Sequence, residues 1–217
     1  MECKLDFKSL LIFEFKSWLG RNFLETKPQL HDENNYLNLG CGLNILDGYI
    51  NADFFYKFKF WKKNKIKKQW QLDLRYPLNC RDEIFDGIYS EHVLEHLYPS
   101  QVENLLIELY RVLKEGSIIR ITVPDIEKYI NFYNGNNDKI DIEKFNKTYT
   151  TGCSAIRNIT QNYLHLSVWD FKELKKYLAN TGFKNIRRMT FNDSKDDKLK
   201  IDIKDREFET LYVEAFK

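Results

Sequence analysis

Two glycines and an acid are the first residues of this chain whose spacing could do chemistry together. Gly40-Cys41-Gly42 follows a short apolar run, Tyr36 to Leu39, in which Asn38 is the polar member. Asp53 closes a second run, Tyr49-Ile50-Asn51-Ala52-Asp53. Glycines at such a place let the backbone turn sharply and approach a ligand with no Cβ in the way. An acid at the end of the next strand can accept hydrogen bonds from both hydroxyls of a ribose. Strand, glycine turn, strand and acid is the layout of a nucleotide site at the carboxyl edge of an α/β sheet. It is not a dinucleotide fingerprint. A third glycine would fall at position 45, which is Ile45, and Asp53 comes sooner than the acid of that motif.

Other groups invite a different chemistry. His92-Val93-Leu94-Glu95-His96 spells His-x-x-Glu-His, the inverted zinc-protease motif. On one helix it would put both imidazoles on one face, as a zinc hydrolase through His92, Glu95 and His96 requires. That reading leaves the glycine turn and Asp53 without a role. The cysteines Cys3, Cys41, Cys80 and Cys153 make no Cys-x-x-Cys pair. They argue against a zinc site or a disulfide framework and for a reducing compartment, so no metal is expected. Lys and Arg number 34 against 32 Asp and Glu, a net charge of +2 that implies no general attraction to nucleic acid. No recognisable nucleic-acid module is present either.

These groups need elements to hold them. The chain of 217 residues suits one domain with a full core. Residues 5–24 place Phe7, Leu10, Leu11, Phe15, Trp18, Leu19 and Phe23 mostly at helical spacing. They read as a helix packed on the domain or covering the ligand site, with an interfacial membrane helix as the alternative, helped by Lys8, Lys16 and Arg21. No stretch approaches the length that spans a bilayer and no cleavage signal follows, so a cytoplasmic protein is expected. Residues 1–35 form this helix and a linker, and 36–217 the main domain. Only six residues separate Gly42 from Tyr49, too few for a long first helix. The aromatic run after Asp53 could wall a ligand site, and the basic run Lys57 to Lys68 could receive an anionic acceptor, a phosphate or a membrane surface. Strands are expected at Gln69 to Leu74, within Asp82 to Tyr89 and at Ser117 to Val123. A helix opens on a capping box of Ser100 and Glu103 and stops at Lys114-Glu115-Gly116. A second box, Asp170 with Glu173, opens a helix to Asn180. Phe183 to Phe191 and Glu209 to Phe216 pair antiparallel. Asn192 to Arg206, charged throughout, reads as exposed or mobile.

Taken in order, Leu37-Asn38-Leu39-Gly40-Cys41-Gly42, Asp53, Leu72-Asp73-Leu74, Phe85-Asp86-Gly87-Ile88-Tyr89-Ser90, His92-Val93-Leu94-Glu95-His96 and Arg111-Val112-Leu113-Lys114-Glu115-Gly116 resemble the class I S-adenosylmethionine-dependent methyltransferases. The likeness is to the short bacterial, type 11-like form. It covers residues 36–125 strongly. The resemblance implies a Rossmann-like α/β domain: a mostly parallel seven-stranded sheet with an antiparallel last strand and helices on both faces. It implies S-adenosyl-L-methionine as cofactor and S-adenosyl-L-homocysteine as product. By the same likeness, Asn38 shapes the loop, and the backbone at Leu39, Gly40 and Gly42 carries the methionine part. Asp53 takes the ribose, Asp73 and Leu74 the adenine, and Ser90 and Glu91 line the route to the methyl group. The family usually carries Asp or Glu where this chain has Asn38. Where the acceptor arrives protonated, His92 is the first candidate base and His165 the second. The acceptor implied is a small polar molecule, a sugar or glycan precursor or another metabolite, offering O or N. A methyltransferase fold that binds without catalysing, as a partner subunit, is the alternative.

Overall fold

The computed structural model describes residues 7–24, 27–54 and 70–217. Cys3, the aromatic run after Phe54 and the lysines of 57–68 lie outside the described residues. Among those described, no helix is long and apolar enough to cross a membrane.

Helix α1 spans Phe7–Leu19 and runs on through a π-helical turn, Gly20–Leu24. Then come β1 (Tyr36–Leu39), β2 (Tyr49–Asp53), β3 (Trp70–Gln71), β4 (Phe85–Glu91), α2 (Pro99–Val112) and β5 (Leu113–Pro124). An all-helical stretch follows: α3 (Ile126–Asn134), α4 (Ile142–Thr148), α5 (Gly152–Gln161) and α6 (Phe171–Asn180). The chain ends with β6 (Lys184–Met189) and β7 (Thr210–Phe216). The seven strands lie in the order β3-β2-β1-β4-β5-β7-β6. β7 runs antiparallel to both β5 and β6, and the pairs from β3 to β5 are parallel. β1, at the middle, is where the chain reverses its direction across the sheet. Ligands of open α/β sheets bind at the carboxyl end of such a switch point.

Two local expectations need correction. The third strand holds only Trp70 and Gln71, because Asp73 turns back to receive the Tyr76 N–H on its carbonyl. Helix α2 opens two residues earlier than the Ser100 box, on Tyr98. Pro99 takes the first helical position, where its missing N–H costs nothing, and Gln101 accepts from the Tyr98 N–H at 3.0 Å. Asp170 does cap α6, accepting from the Glu173 N–H at 2.7 Å.

The two faces of the sheet are unlike. Leu37, Leu39, Ile88, Ile119, Ile121, Val213 and Ala215 point to one side, where α2 and α6 close a continuous apolar core. The alternate residues Tyr89, Ile118, Arg120 and Glu214 point to the other. That side is covered not by a long helix but by the charged stretch 192–206, whose Leu199 is fully buried against Tyr89 and Ile118. Most of this stretch is exposed, as expected, but Ser194, Leu199 and Asp202 are buried and tie it to the sheet. Arg120 donates to Asp202 at 2.6 and 2.9 Å, to Glu214 at 3.0 Å and to the carbonyls of Thr190 and Asp193. An arginine whose donors all find acceptors can lie inside a protein, and it recruits charged chain to cover it.

Candidate active site at the carboxyl edge

The first crossover is built by two asparagines. Asn38, buried on β1, donates from Nδ2 to the Asn44 carbonyl at 2.9 Å and to Asn51 Oδ1 at 2.8 Å. Asn51 in turn accepts from the Leu46 N–H and donates to the Leu46 carbonyl, each at 2.9 Å. Parallel strands are usually joined through a helix; here a side-chain pair holds the short loop instead. It also explains the amide at position 38, since a carboxylate could not donate to either acceptor.

The glycine turn meets β2 at that loop. Cys41 N–H bonds the Ala52 carbonyl at 3.0 Å. Gly40 and Gly42 have φ of +64° and +52°, the left-handed region that favours glycine. A Cβ on Gly40 would come 2.4 Å from Val93 Cγ2, so packing forbids it, whereas nothing among the described residues lies within 4 Å of a Cβ on Gly42. Among those residues the space over Gly42 is open. Asp53 stands beside it, accepting from the Gly42 N–H and from the Phe54 N–H. Burial pushes its carboxyl up, and those two bonds only partly oppose the rise. On the neighbouring strand, level with Leu39, the Ser90 hydroxyl is buried with no hydrogen-bond partner among the described residues. An open glycine cradle, an acid at its lip and an orphaned hydroxyl suit a ligand with a diol and a polar tail.

Asp73 is engaged elsewhere. It accepts from Ser17 Oγ at 2.5 Å, from the Arg75 N–H at 3.0 Å, and from Arg75 Nη2 at 2.7 Å. Burial alone would raise its carboxyl, but the bonds from Arg75 and Ser17 outweigh it and hold it below the ordinary range. Leu74 packs on the edge of the core. Ser17 comes from α1, whose Glu14 also takes Arg75 at 2.5 Å. The helix thus lies over this end of the site, and it does so polar side inward. Leu11, Phe15 and Trp18 are 54, 60 and 50% exposed.

At the end of β4, Glu91 accepts from the Ile203 N–H at 3.2 Å, and burial raises its carboxyl above the usual range. His92 follows at φ +51°, and Leu94–His96 is a 3-10 turn, so the two imidazoles do not share a helix face. This overturns the inverted-protease geometry. His92 Nε2 meets Thr210 Oγ1 at 2.8 Å, and that hydroxyl donates to the Arg206 carbonyl, so the ring nitrogen is the donor. Nδ1 lies 3.3 Å from Glu95 Oε1. Both nitrogens of His92 are thus turned to protein groups. His165 lies in the loop after α5, its Nδ1 donating to the Ile159 carbonyl at 2.8 Å and its ring against His96.

Two features escaped the sequence reading. Ser17 and Arg75, which clasp Asp73, carry no local pattern that marks them. Tyr129 and Tyr149 form a buried hydroxyl pair at 3.1 Å, with Tyr129 donating to Glu209, between the helical stretch and the end of β7. A cleft of about 440 Å³ lined by His31, Tyr36, Tyr49 and Lys198 lies at the amino ends of β1 and β2, the wrong edge for this chemistry.

Residues 37–121 match the family model described as a methyltransferase domain. A solved SAM-dependent methyltransferase from Archaeoglobus fulgidus is similar over 98% of this chain and all of its own, at 20% identity and a TM-score of 0.53. A SAM-dependent methyltransferase from Thermotoga maritima, titled a possible histamine N-methyltransferase, covers 97% and 93% at 14% identity and a TM-score of 0.50. Among curated proteins none matches. Fold, glycine turn and matched domain agree: residues 37–121 match a methyltransferase domain, and the chain has the fold of S-adenosylmethionine-dependent methyltransferases.

Proposed function

We propose that the chain methylates an oxygen or nitrogen of a small polar acceptor, a sugar or glycan precursor or another metabolite. The observation that carries this is the turn at Gly42, open among the described residues, with Asp53 at its lip and, level with Leu39 on the next strand, a Ser90 hydroxyl that has no partner among those residues. Leu39, Gly40 and Gly42 hold the methionine part of the cofactor through their backbone, and Asn38 keeps the loop in shape. Asp53 receives the ribose hydroxyls. Asp73 and Leu74 receive the adenine, and Ser17 shares the Asp73 carboxylate or yields it. The bound cofactor supplies a methyl group on a positively charged sulfur. The protein's own task is then to align the acceptor and exclude water.

Where the acceptor is protonated, Glu91 is well placed to take the proton at its carboxylate. Its raised carboxyl and its position at the end of β4 support this. His92, turned to Glu95 and Thr210, positions the strand end.

Calorimetry with S-adenosylmethionine tests the cofactor half. Asp53→Ala should weaken binding about tenfold or more, the scale of a charge-assisted bond. Unchanged affinity would overturn the site. Turnover on a panel of sugars and small amines tests the acceptor half; activity confined to nucleic acid or protein would overturn it.

A further inference from the structure

We propose that Glu95, His96 and His165 bind a divalent transition-metal ion, of which zinc is the natural probe. One donor atom from each lies within 4.8 Å of the other two. They come from two segments already tied together. The Leu166 and Ser167 N–H groups both bond the Glu95 carbonyl, at 2.7 and 3.2 Å, and Ser167 Oγ donates to the Leu94 carbonyl at 3.2 Å.

The carboxylate points to a missing partner. Glu95 is 1% exposed, and neither of its oxygens has a hydrogen bond among the described residues. Its nearest described basic atom, His92 Nδ1, stands 3.3 Å from Oε1 and pairs with it only when that imidazole is protonated. A buried carboxylate so thinly partnered is unfavourable, and a cation offsets it.

The His165 ring is in the state a metal needs. Its Nδ1 donates to the Ile159 carbonyl at 2.8 Å. A carbonyl only accepts, so Nδ1 carries the proton, and in the neutral ring Nε2 presents a lone pair. The rings of His96 and His165 meet edge to face with centroids 5.0 Å apart. Tyr163 and Leu164, just before His165, both have left-handed φ, +58° and +62°. Non-glycine residues are held there only when their surroundings require it.

Two imidazoles and one carboxylate suit zinc and its neighbours rather than magnesium or calcium, which prefer oxygen alone. Three protein ligands leave a fourth position for water. The ion would join the turn after β4 to the loop after α5. This inference stands apart from the methyltransferase reading, since it concerns binding alone.

The test uses the full chain, freed of metal with a chelator and titrated with zinc chloride by calorimetry and by melting. One equivalent should bind, and the melting temperature should rise by several degrees. His165→Ala and Glu95→Gln should each weaken binding at least about tenfold, and His31→Ala, at the opposite edge of the sheet, should not. Cobalt(II) in place of zinc should give visible absorption that His165→Ala removes. If no equivalent binds, or both ligand variants bind as the parent does, the proposal fails. Should Glu95→Gln not fold, His165→Ala in its surface loop decides alone.

Discussion

At the scale of single residues, position 38 separates a structural role from an electrostatic one. Asn38 faces two acceptors, the Asn44 carbonyl and Asn51 Oδ1. Asn38→Asp introduces an acid and sets a carboxylate against both oxygens. It should destabilise the fold by about 1–3 kcal/mol, the cost of a buried acceptor left facing acceptors. Urea unfolding checks this; an unchanged midpoint would mean that the loop is not held by this amide. Asp53 has the opposite character. Its folded pKa is raised by burial, so its contribution is most favourable at low pH and is lost as pH rises through that pKa. At neutral pH the charge therefore works against folding, and Asp53→Asn should leave the melting temperature no lower while binding of S-adenosylmethionine falls. A clear drop in melting temperature would show that the bonds to Gly42 and Phe54 dominate. Asp73 has the reverse sign. Its pKa is depressed by Arg75 and Ser17, so its contribution is present above the unfolded value and is lost as pH falls through the folded one. Arg75→Ala should cost about 1–3 kcal/mol at pH 7, and the gap to the parent should narrow steadily as the solution is acidified below the carboxylate range. A gap independent of pH would mean that Arg75 acts through packing alone.

At the scale of elements, α1 shows how a helix can be legible while its orientation is not. The spacing of Phe7 to Phe23 signals a helix, and a helix forms. Apolar spacing normally marks the inward stripe, yet here Glu14 and Ser17 face the domain and Leu11, Phe15 and Trp18 face out. The inward set is defined by Asp73 and Arg75, which are distant in sequence, so no local pattern could show it. Substitution should sort the two faces. Phe15→Gln with Trp18→Gln should change stability by less than about 0.5 kcal/mol per site, whereas Ser17→Ala should cost about 1 kcal/mol. A large loss from the outward pair, read by urea unfolding, would mean that this face is covered in solution. The glycine turn, β4, α2 and α6 were readable because their signals are local: left-handed turns, capping acids and apolar periodicity. β3 was overrun because Asp73 reverses the chain through contacts the sequence does not display. The inverted zinc motif misled for a related reason, since the left-handed φ of His92 ends any helix before it starts.

At the scale of the whole molecule, the back of the sheet rests on charge where such a face is usually apolar. Arg120 and Glu214 sit opposite each other on β5 and β7, and Asp202 comes from 82 positions along the chain. The arginine is fully buried, as is the Asp202 side chain it meets. Low hydrophobicity made 192–206 look loose, because composition does not reveal a buried partner so far away. Two substitutions distinguish what the cluster does. Arg120→Met leaves Asp202 and Glu214 buried without their cation and should cost about 3–5 kcal/mol, as broken buried pairs do. Replacing Arg120, Asp202 and Glu214 together by apolar residues of similar volume removes the desolvation cost along with the attraction, and should recover most of that loss. Limited proteolysis follows the same logic in space. Arg120→Met should open cleavage within 192–206 before the rest of the domain is cut, since that guanidinium holds Asp202 and the Asp193 carbonyl to the sheet. Glu91, which bonds the Ile203 N–H, would lose its backbone donor in the same event. Turnover should therefore fall further than cofactor affinity in Arg120→Met, and equal losses of both would mean that the back of the sheet does not position the end of β4.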